Sequence, residues 1–64
     1  MEVVRRLREY IKAKQIQLAT LADKMGVHES FLSNILEERQ DMDIIDYYCI
    51  CKALNVPLKT FVEE

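Results

Sequence analysis

The single glycine of the chain, Gly26, restricts the fold more than any other residue, because it separates two segments with helical spacing. The apolar positions of these segments are Leu18, Leu21, Ala22 and Met25 before it, and Leu32, Ile35 and Leu36 after it. Two helices joined by so few residues must cross steeply, and a left-handed residue turns that corner with least strain where no Cβ is present. The sequence therefore predicts that Gly26 ends the second helix and sets its angle to the third.

The same spacing rule and the helix-end signals predict the other elements. Gln17 is a modest cap for the second helix, the third begins near His28, and Asp43 with Asp46 predicts a carboxylate capping box for the fourth. Asn55 is predicted to end the fourth helix in the left-handed conformation, and Pro57 to open a short fifth. The predicted inward positions are Val3, Leu7, Tyr10 and Ile11 in the first helix, Ile44, Tyr47, Ile50, Cys51 and Leu54 in the fourth, and Leu58, Phe61 and Val62 in the fifth.

Length and composition limit the class of protein. No segment alternates as a strand would, so we expect an all-α fold of five helices in a single domain over residues 1–64. The chain is 50% hydrophobic and 31% charged, which argues against a disordered tail, and no apolar run approaches the roughly 18 residues of a membrane span. The first residues lack the apolar segment of a signal peptide, so we expect a cytoplasmic protein without a membrane partner.

The reactive side chains are too few and too scattered to predict an enzyme or a metal site. The chain has two cysteines and one histidine, His28. On a helix, Cys49 and Cys51 point roughly 200° apart, so they can neither pair nor hold one metal ion, and both are expected to be reduced thiols. We therefore expect no cofactor, with Cys51 in the core and Cys49 at the surface.

Two blocks of the sequence resemble one family in register. The run "LADKMGVHESFLSNI" resembles the helix-turn-helix of lambda-repressor-like (Cro/CI, XRE-type) DNA-binding domains, and "ICKALNVPLKTF" resembles the closing segment of that family. The resemblance covers about residues 3–62. It implies a five-helix domain in which helices 2 and 3 form the helix-turn-helix, and a transcriptional regulator, repressor-like, that binds double-stranded DNA.

The resemblance also assigns candidate DNA-binding residues by position. In relatives, the first turn of the third helix reads bases, the start of the second helix contacts a phosphate, and the loop after the third helix contacts the backbone. The corresponding residues here are His28, Glu29 and Ser30, then Ser33 and Asn34 one turn on, with Gln17, Arg39 and Gln40 as the backbone contacts. This chain departs from the family pattern at Leu18, where a glutamine is usual, and at Glu38, where a glycine is usual.

A second departure concerns a buried ion pair. Many relatives bury an arginine late in the first helix against a glutamate at the end of the third, and those positions here are Ile11 and Leu36. Exchanging both partners for apolar groups is often neutral or stabilising, whereas losing one costs about 3 to 5 kcal/mol. We therefore predict that the side chains of Ile11 and Leu36 touch.

The charge distribution leaves two functions open. Residues 1–24 hold six basic and three acidic side chains, a net charge of +3, whereas residues 25–64 hold three basic and eight acidic, a net charge of −5. The favoured interpretation is a nucleoid-associated DNA-binding regulator that acts as a homodimer with its third helix in the major groove. The alternative is a helix-turn-helix fold reused to bind a protein partner, as an antirepressor or assembly module, because an acidic DNA-facing half gains little from phosphate neutralisation. Duplex binding across a range of salt concentrations separates the two.

Overall fold

The computed structural model describes residues 2–62, and within that range the chain is all-α. The four α-helices are α1 (Glu2–Ala13), α2 (Leu18–Met25), α3 (Glu29–Leu36) and α4 (Ile44–Leu54), followed by a 3₁₀ helix at Leu58–Phe61. The predicted fifth helix is therefore wrong in type: with only four residues after Pro57, the segment forms one tight turn instead of an α-helical ladder. No helix of the described range is both long and apolar enough to cross a membrane.

Gly26 turns the corner between α2 and α3 as predicted. Its backbone is left-handed, with φ of +74°, and its N–H donates to the carbonyl of Asp23 at 3.1 Å while the N–H of Val27 donates to that of Ala22 at 3.0 Å. A Cβ built on Gly26 would meet nothing within 4 Å. The requirement for glycine is therefore conformational and does not arise from crowding.

Three other residues are left-handed without being glycine. Gln15, Glu38 and Asn55 have φ values of 56°, 60° and 61°, and each lies just beyond the end of a helix. Asn55 was predicted in this role, and asparagine tolerates the conformation better than most residues. Gln15 and Glu38 tolerate it less, and the N–H of the residue that follows each of them donates back to the preceding helix, at 3.0 Å and 2.8 Å.

The core lies where the helices converge. Its buried cluster draws on every element: Leu7, Ile11, Leu21, Ala22, Leu32, Leu36, Tyr47, Ile50, Cys51 and Phe61. The ring of Tyr10 meets that of Phe61 edge to face, with centroids 5.3 Å apart, which fixes the 3₁₀ helix against α1. Cys49 and Cys51 are free thiols; Cys51 is buried and Cys49 half-buried.

Three residues predicted to face inward lie outside the core instead. Ile44, Leu58 and Val62 are all exposed. The buried stripe of α4 runs through Tyr47, Ile50 and Cys51, and Ile44 lies at its edge, in the first turn. The closing 3₁₀ helix is a single turn that buries only Phe61.

The start of α4 is fixed by the predicted capping box. The N–H of Asp46 donates to the Asp43 carboxylate at 2.8 Å, and the N–H of Asp43 donates to the Asp46 carboxylate at 3.4 Å. One turn further on, the buried Tyr47 hydroxyl donates to the carbonyl of Leu58 and so ties α4 to the 3₁₀ helix. Burial is the main cause that raises the pKa of Tyr47 to about 12, with a smaller contribution from Cys51, whose own pKa burial also raises.

The Tyr47 hydroxyl makes stability depend on pH in the alkaline range. In the unfolded chain tyrosine ionises near its ordinary pKa of about 10, so the unfolded state loses this proton before the folded state does. The protonated hydroxyl therefore contributes on the order of 2 kcal/mol to the free energy of unfolding. This contribution is fully present below pH 10 and is lost as the pH rises to about 12. Chemical unfolding of wild type and Tyr47→Phe should be compared between about pH 8 and 11. The difference between their free energies of unfolding should change in favour of Tyr47→Phe as the pH rises, and a difference that stays constant would contradict this role of the hydroxyl.

Candidate nucleic-acid interface

The outer side of α3 is the surface that its burial pattern leaves available. Leu32, Ile35 and Leu36 are buried, and α3 packs against α1 and α2. Because these three residues share one side of the helix, the opposite side must face away from the core. The corner at Gly26 sets the direction in which that side points.

The first turn of α3 presents three of the predicted base-reading residues to solvent. His28, Glu29 and Ser30 are all exposed. His28 occupies the N-cap position with extended backbone, and its side chain makes no capping hydrogen bond. Within the described residues none of the three side chains is held by a hydrogen bond or an ion pair, so all three are available to a ligand at this helix end.

One turn further along α3, the two remaining predicted base readers are half-buried. Asn34 is held in place, because its Oδ1 accepts a hydrogen bond from Arg39 Nε at 3.1 Å. Arg39 Nη1 also donates to Glu37 Oε1 at 2.5 Å. Two predicted contacts, Asn34 and Arg39, are thus joined to each other and to a carboxylate that sequence reasoning did not single out. Ser33 lines a neighbouring groove.

The predicted backbone contacts lie at the two ends of the helix-turn-helix. Gln17 is exposed at the N-cap position of α2, but its side chain makes no capping hydrogen bond, so its predicted role as a cap is wrong. Leu18, the departure from the family pattern, is half-buried and packs against the core. Gln40 is exposed in the loop that follows α3. Gln17 is therefore an exposed polar side chain at the start of α2 that no capping hydrogen bond holds.

A cation from α1 reaches the end of α3, and sequence reasoning missed it. Arg8 Nη1 donates to the carbonyl of Leu36 at 2.7 Å and lies 3.8 Å from a carboxylate oxygen of Glu38. A positive charge at a helix C-terminus interacts favourably with the unpaired carbonyls and the helix dipole. Arg8 and Leu36 are 28 positions apart, so no local sequence signal could have predicted this contact.

An apolar groove lies between α1, α2 and α3, next to this contact. It has a volume of about 400 Å³, and its apolar lining comes from Ile11, Leu18 and Leu36. Ile11 and Leu36 are both buried and belong to the same core cluster. Their direct contact stays a prediction, but both side chains occupy the apolar environment that the predicted exchange of an ion pair requires.

The surface formed by α3 and the loop that follows it carries more negative than positive charge. Among residues 2–62, no three histidine, cysteine, aspartate or glutamate side chains are grouped so that they could hold a metal ion. The segment from His28 to Gln40 carries three carboxylates and one guanidinium, that of Arg39. The outer side of α3 therefore offers hydrogen-bond donors and acceptors with little positive charge.

The chain matches a known protein family. Residues 6–63 of the 64-residue chain match the family model of the Cro/C1-type HTH DNA-binding domain. No curated protein and no solved structure matches the chain significantly.

The contact of Arg8 with α3 should contribute measurably to the free energy of unfolding. Arg8→Ala removes the charged donor from the Leu36 carbonyl and should lower the free energy of unfolding by about 1 to 2 kcal/mol. Arg5→Ala is the matched control, because Arg5 pairs only with the exposed carboxylates of Glu2 and Glu9 on its own helix; its loss should cost less than about 0.5 kcal/mol. Equal losses on urea unfolding would mean that the Arg8 contact contributes nothing specific.

Proposed function

Because the chain belongs to the family of Cro/C1-type helix-turn-helix DNA-binding domains, we propose that it is a sequence-specific transcriptional regulator, repressor-like, that binds double-stranded DNA as a homodimer. In this proposal α3 lies in the major groove and residues 1–64 act as one domain. The observation that carries the proposal is the exposed first turn of α3, placed by the Gly26 corner and free of capping roles. A helix end of this kind is what a helix-turn-helix presents to base edges.

Each predicted contact has a chemical role in the proposal. Asn34 pairs with adenine and Glu29 accepts from the amino group of cytosine, the pairings that suit an amide and a carboxylate. His28, Ser30 and Ser33 read neighbouring positions. Gln17, Arg39 and Gln40 bind the phosphate backbone, which sets the register of the helix in the groove.

The charge of the surface shapes the expected affinity. Duplex binding draws most of its non-specific strength from cations that neutralise phosphates, and Arg39 is the one cation among the eight proposed contacts. Since Arg39 is held by Glu37 at 2.5 Å, it must exchange that partner for a phosphate. We therefore expect a shallow salt dependence and a small non-specific component.

A second candidate function is supported by two observations. Leu18 is half-buried at the position where relatives contact a phosphate, and the segment from Glu37 to Asp46 is strongly acidic. These features favour a protein-binding module on the same fold, with weak or no DNA binding.

A duplex-binding experiment on Glu29 tests the proposed function. Glu29→Gln removes a charge near the phosphates, so it should either raise affinity for every sequence or relax the preference at one base pair. Asp41→Asn is the matched control, since it removes the same charge from an exposed residue outside α3, and it should have less effect. Fluorescence titrations would use a random duplex and a pool selected for binding. If wild type and Glu29→Gln both fail to bind any duplex near 50 mM salt, where phosphate attraction is strong, the proposal is wrong.

Release of Arg39 should strengthen DNA binding. Glu37→Gln removes the carboxylate partner of Arg39, so the guanidinium becomes available to a phosphate and the slope of log affinity against log salt should steepen by about 1. Asp41→Asn changes the net charge equally but does not involve a partner of Arg39, so its slope should stay close to that of wild type. Equal slopes for the two variants would show that the contact with Glu37 does not restrain Arg39 from binding a phosphate.

A further inference from the structure

The apolar groove between α1, α2 and α3 has the size of a site for a small molecule. We call it the three-helix groove; its volume is about 400 Å³, and its apolar lining comes from Ile11, Leu18 and Leu36. Sites for small molecules start at about 300 Å³. A single turn of an α-helix, about 10 Å across and about 5.4 Å long, would by itself take up the whole volume. The groove therefore suits a small molecule better than a segment of a protein.

The two carboxylates at the edge of the three-helix groove are already paired with arginines. Glu9 Oε2 accepts a hydrogen bond from Arg5 Nη1 at 2.8 Å, and Glu37 Oε1 accepts one from Arg39 Nη1 at 2.5 Å. A cationic molecule in the groove would have to displace one of these arginines. The edge therefore offers no ready partner to a cation.

The two cations at the edge differ in what holds them. Arg8 donates to the carbonyl of Leu36 at 2.7 Å, whereas the Lys12 ammonium makes no hydrogen bond or ion pair with any of residues 2–62. Lys12 lies exposed in the last turn of α1. An anionic molecule can thus pair with Lys12 without breaking an existing contact, so the charges at the edge favour an anion with an apolar body.

Ser33 and Leu18 connect the three-helix groove to the proposed DNA-binding surface. Half-buried Ser33 is one of the eight proposed DNA contacts, and Leu18 directly follows another, Gln17. An anion in the groove would place its charge beside the phosphates of a bound duplex, and like charges repel. Occupation of the groove should therefore weaken DNA binding, and DNA should weaken binding in the groove by the same factor.

We propose that the three-helix groove binds a small amphipathic carboxylate, of the class of medium-chain fatty acids, and that its occupation weakens DNA binding. The alkyl chain lies against Ile11, Leu18 and Leu36, and the carboxylate pairs with Lys12. The site itself requires no DNA, and only its effect on DNA binding rests on the proposed function.

An NMR titration of the isotope-labelled 64-residue chain with octanoate tests the site. We expect saturating shifts of the methyl signals of Ile11, Leu18 and Leu36, with a Kd of about 1 mM, as suits a ligand of about ten non-hydrogen atoms. Octan-1-ol lacks the charge and should bind about threefold more weakly. Acetate lacks the alkyl chain and should cause no saturating shifts in the groove.

Lys12→Gln removes the proposed partner of the carboxylate and should raise the Kd of octanoate by about threefold. Lys24→Gln is the matched control, because it removes the same charge from an exposed position on α2 that does not line the groove. Its Kd should stay within about 1.5-fold of wild type, and Lys12→Arg, which keeps the charge, should also stay close to wild type. Both lysines are exposed, so the fold should be preserved, and circular dichroism checks this.

Four results would each overturn the proposed site. These are no saturable shifts up to about 10 mM octanoate, shifts centred on the exposed side chains of α4, equal Kd values for octanoate and octan-1-ol, and equal Kd values for wild type and Lys12→Gln.

A duplex titration separates this inference from the proposed function. At about 5 mM, octanoate should raise the Kd of a duplex selected for binding by about sixfold, whereas acetate at the same concentration should leave it unchanged. Saturable binding of octanoate without binding of any duplex would keep the site and overturn the proposed function. Unchanged duplex affinity with the groove occupied would keep the site and overturn its effect on DNA binding.

Discussion

The left-handed corner at Gly26 sets the direction in which the chain enters α3. With φ of +74° and two hydrogen bonds back to α2, it directs the chain into α3 with Leu32, Ile35 and Leu36 turned to the core. The opposite side of α3 is then exposed, because no other element is needed to turn it away from the core. No Cβ clash forbids another residue at this position, so the cost of replacing Gly26 is the strain of a left-handed L-residue alone.

Internal pairing of cations is the second organising feature. The Arg8 guanidinium donates to a carbonyl at the end of α3, and the Arg39 guanidinium donates to Glu37 and Asn34. Both groups therefore have partners within the fold. In the proposed function a phosphate contact of Arg39 would replace its contact with Glu37, which favours specific contacts over general attraction to DNA.

The sequence predicts helix ends well, because they depend on local residue types. It predicts less well which apolar faces are covered by other elements and which residues distant in sequence meet. The left-handed helix ends at Gly26 and Asn55 were predicted because glycine and asparagine are the residue types that adopt this conformation most readily. Ile44 and Leu58 were placed in the core because spacing defines a face but does not say what covers it; both are exposed. The contact of Arg8 with α3, and the hold of Asn34 on Arg39 within the candidate site, arise from folded geometry and carry no sequence signal.

The proposed function requires that DNA contact the outer side of α3. The most direct measurement is a titration of the isotope-labelled chain with a duplex selected for binding, followed through the shifts of its backbone amides by NMR. The largest changes are expected at Gln17 and at residues 28–34 and 39–40, with small changes across α4. Changes centred on α4, or none at any residue, would contradict it.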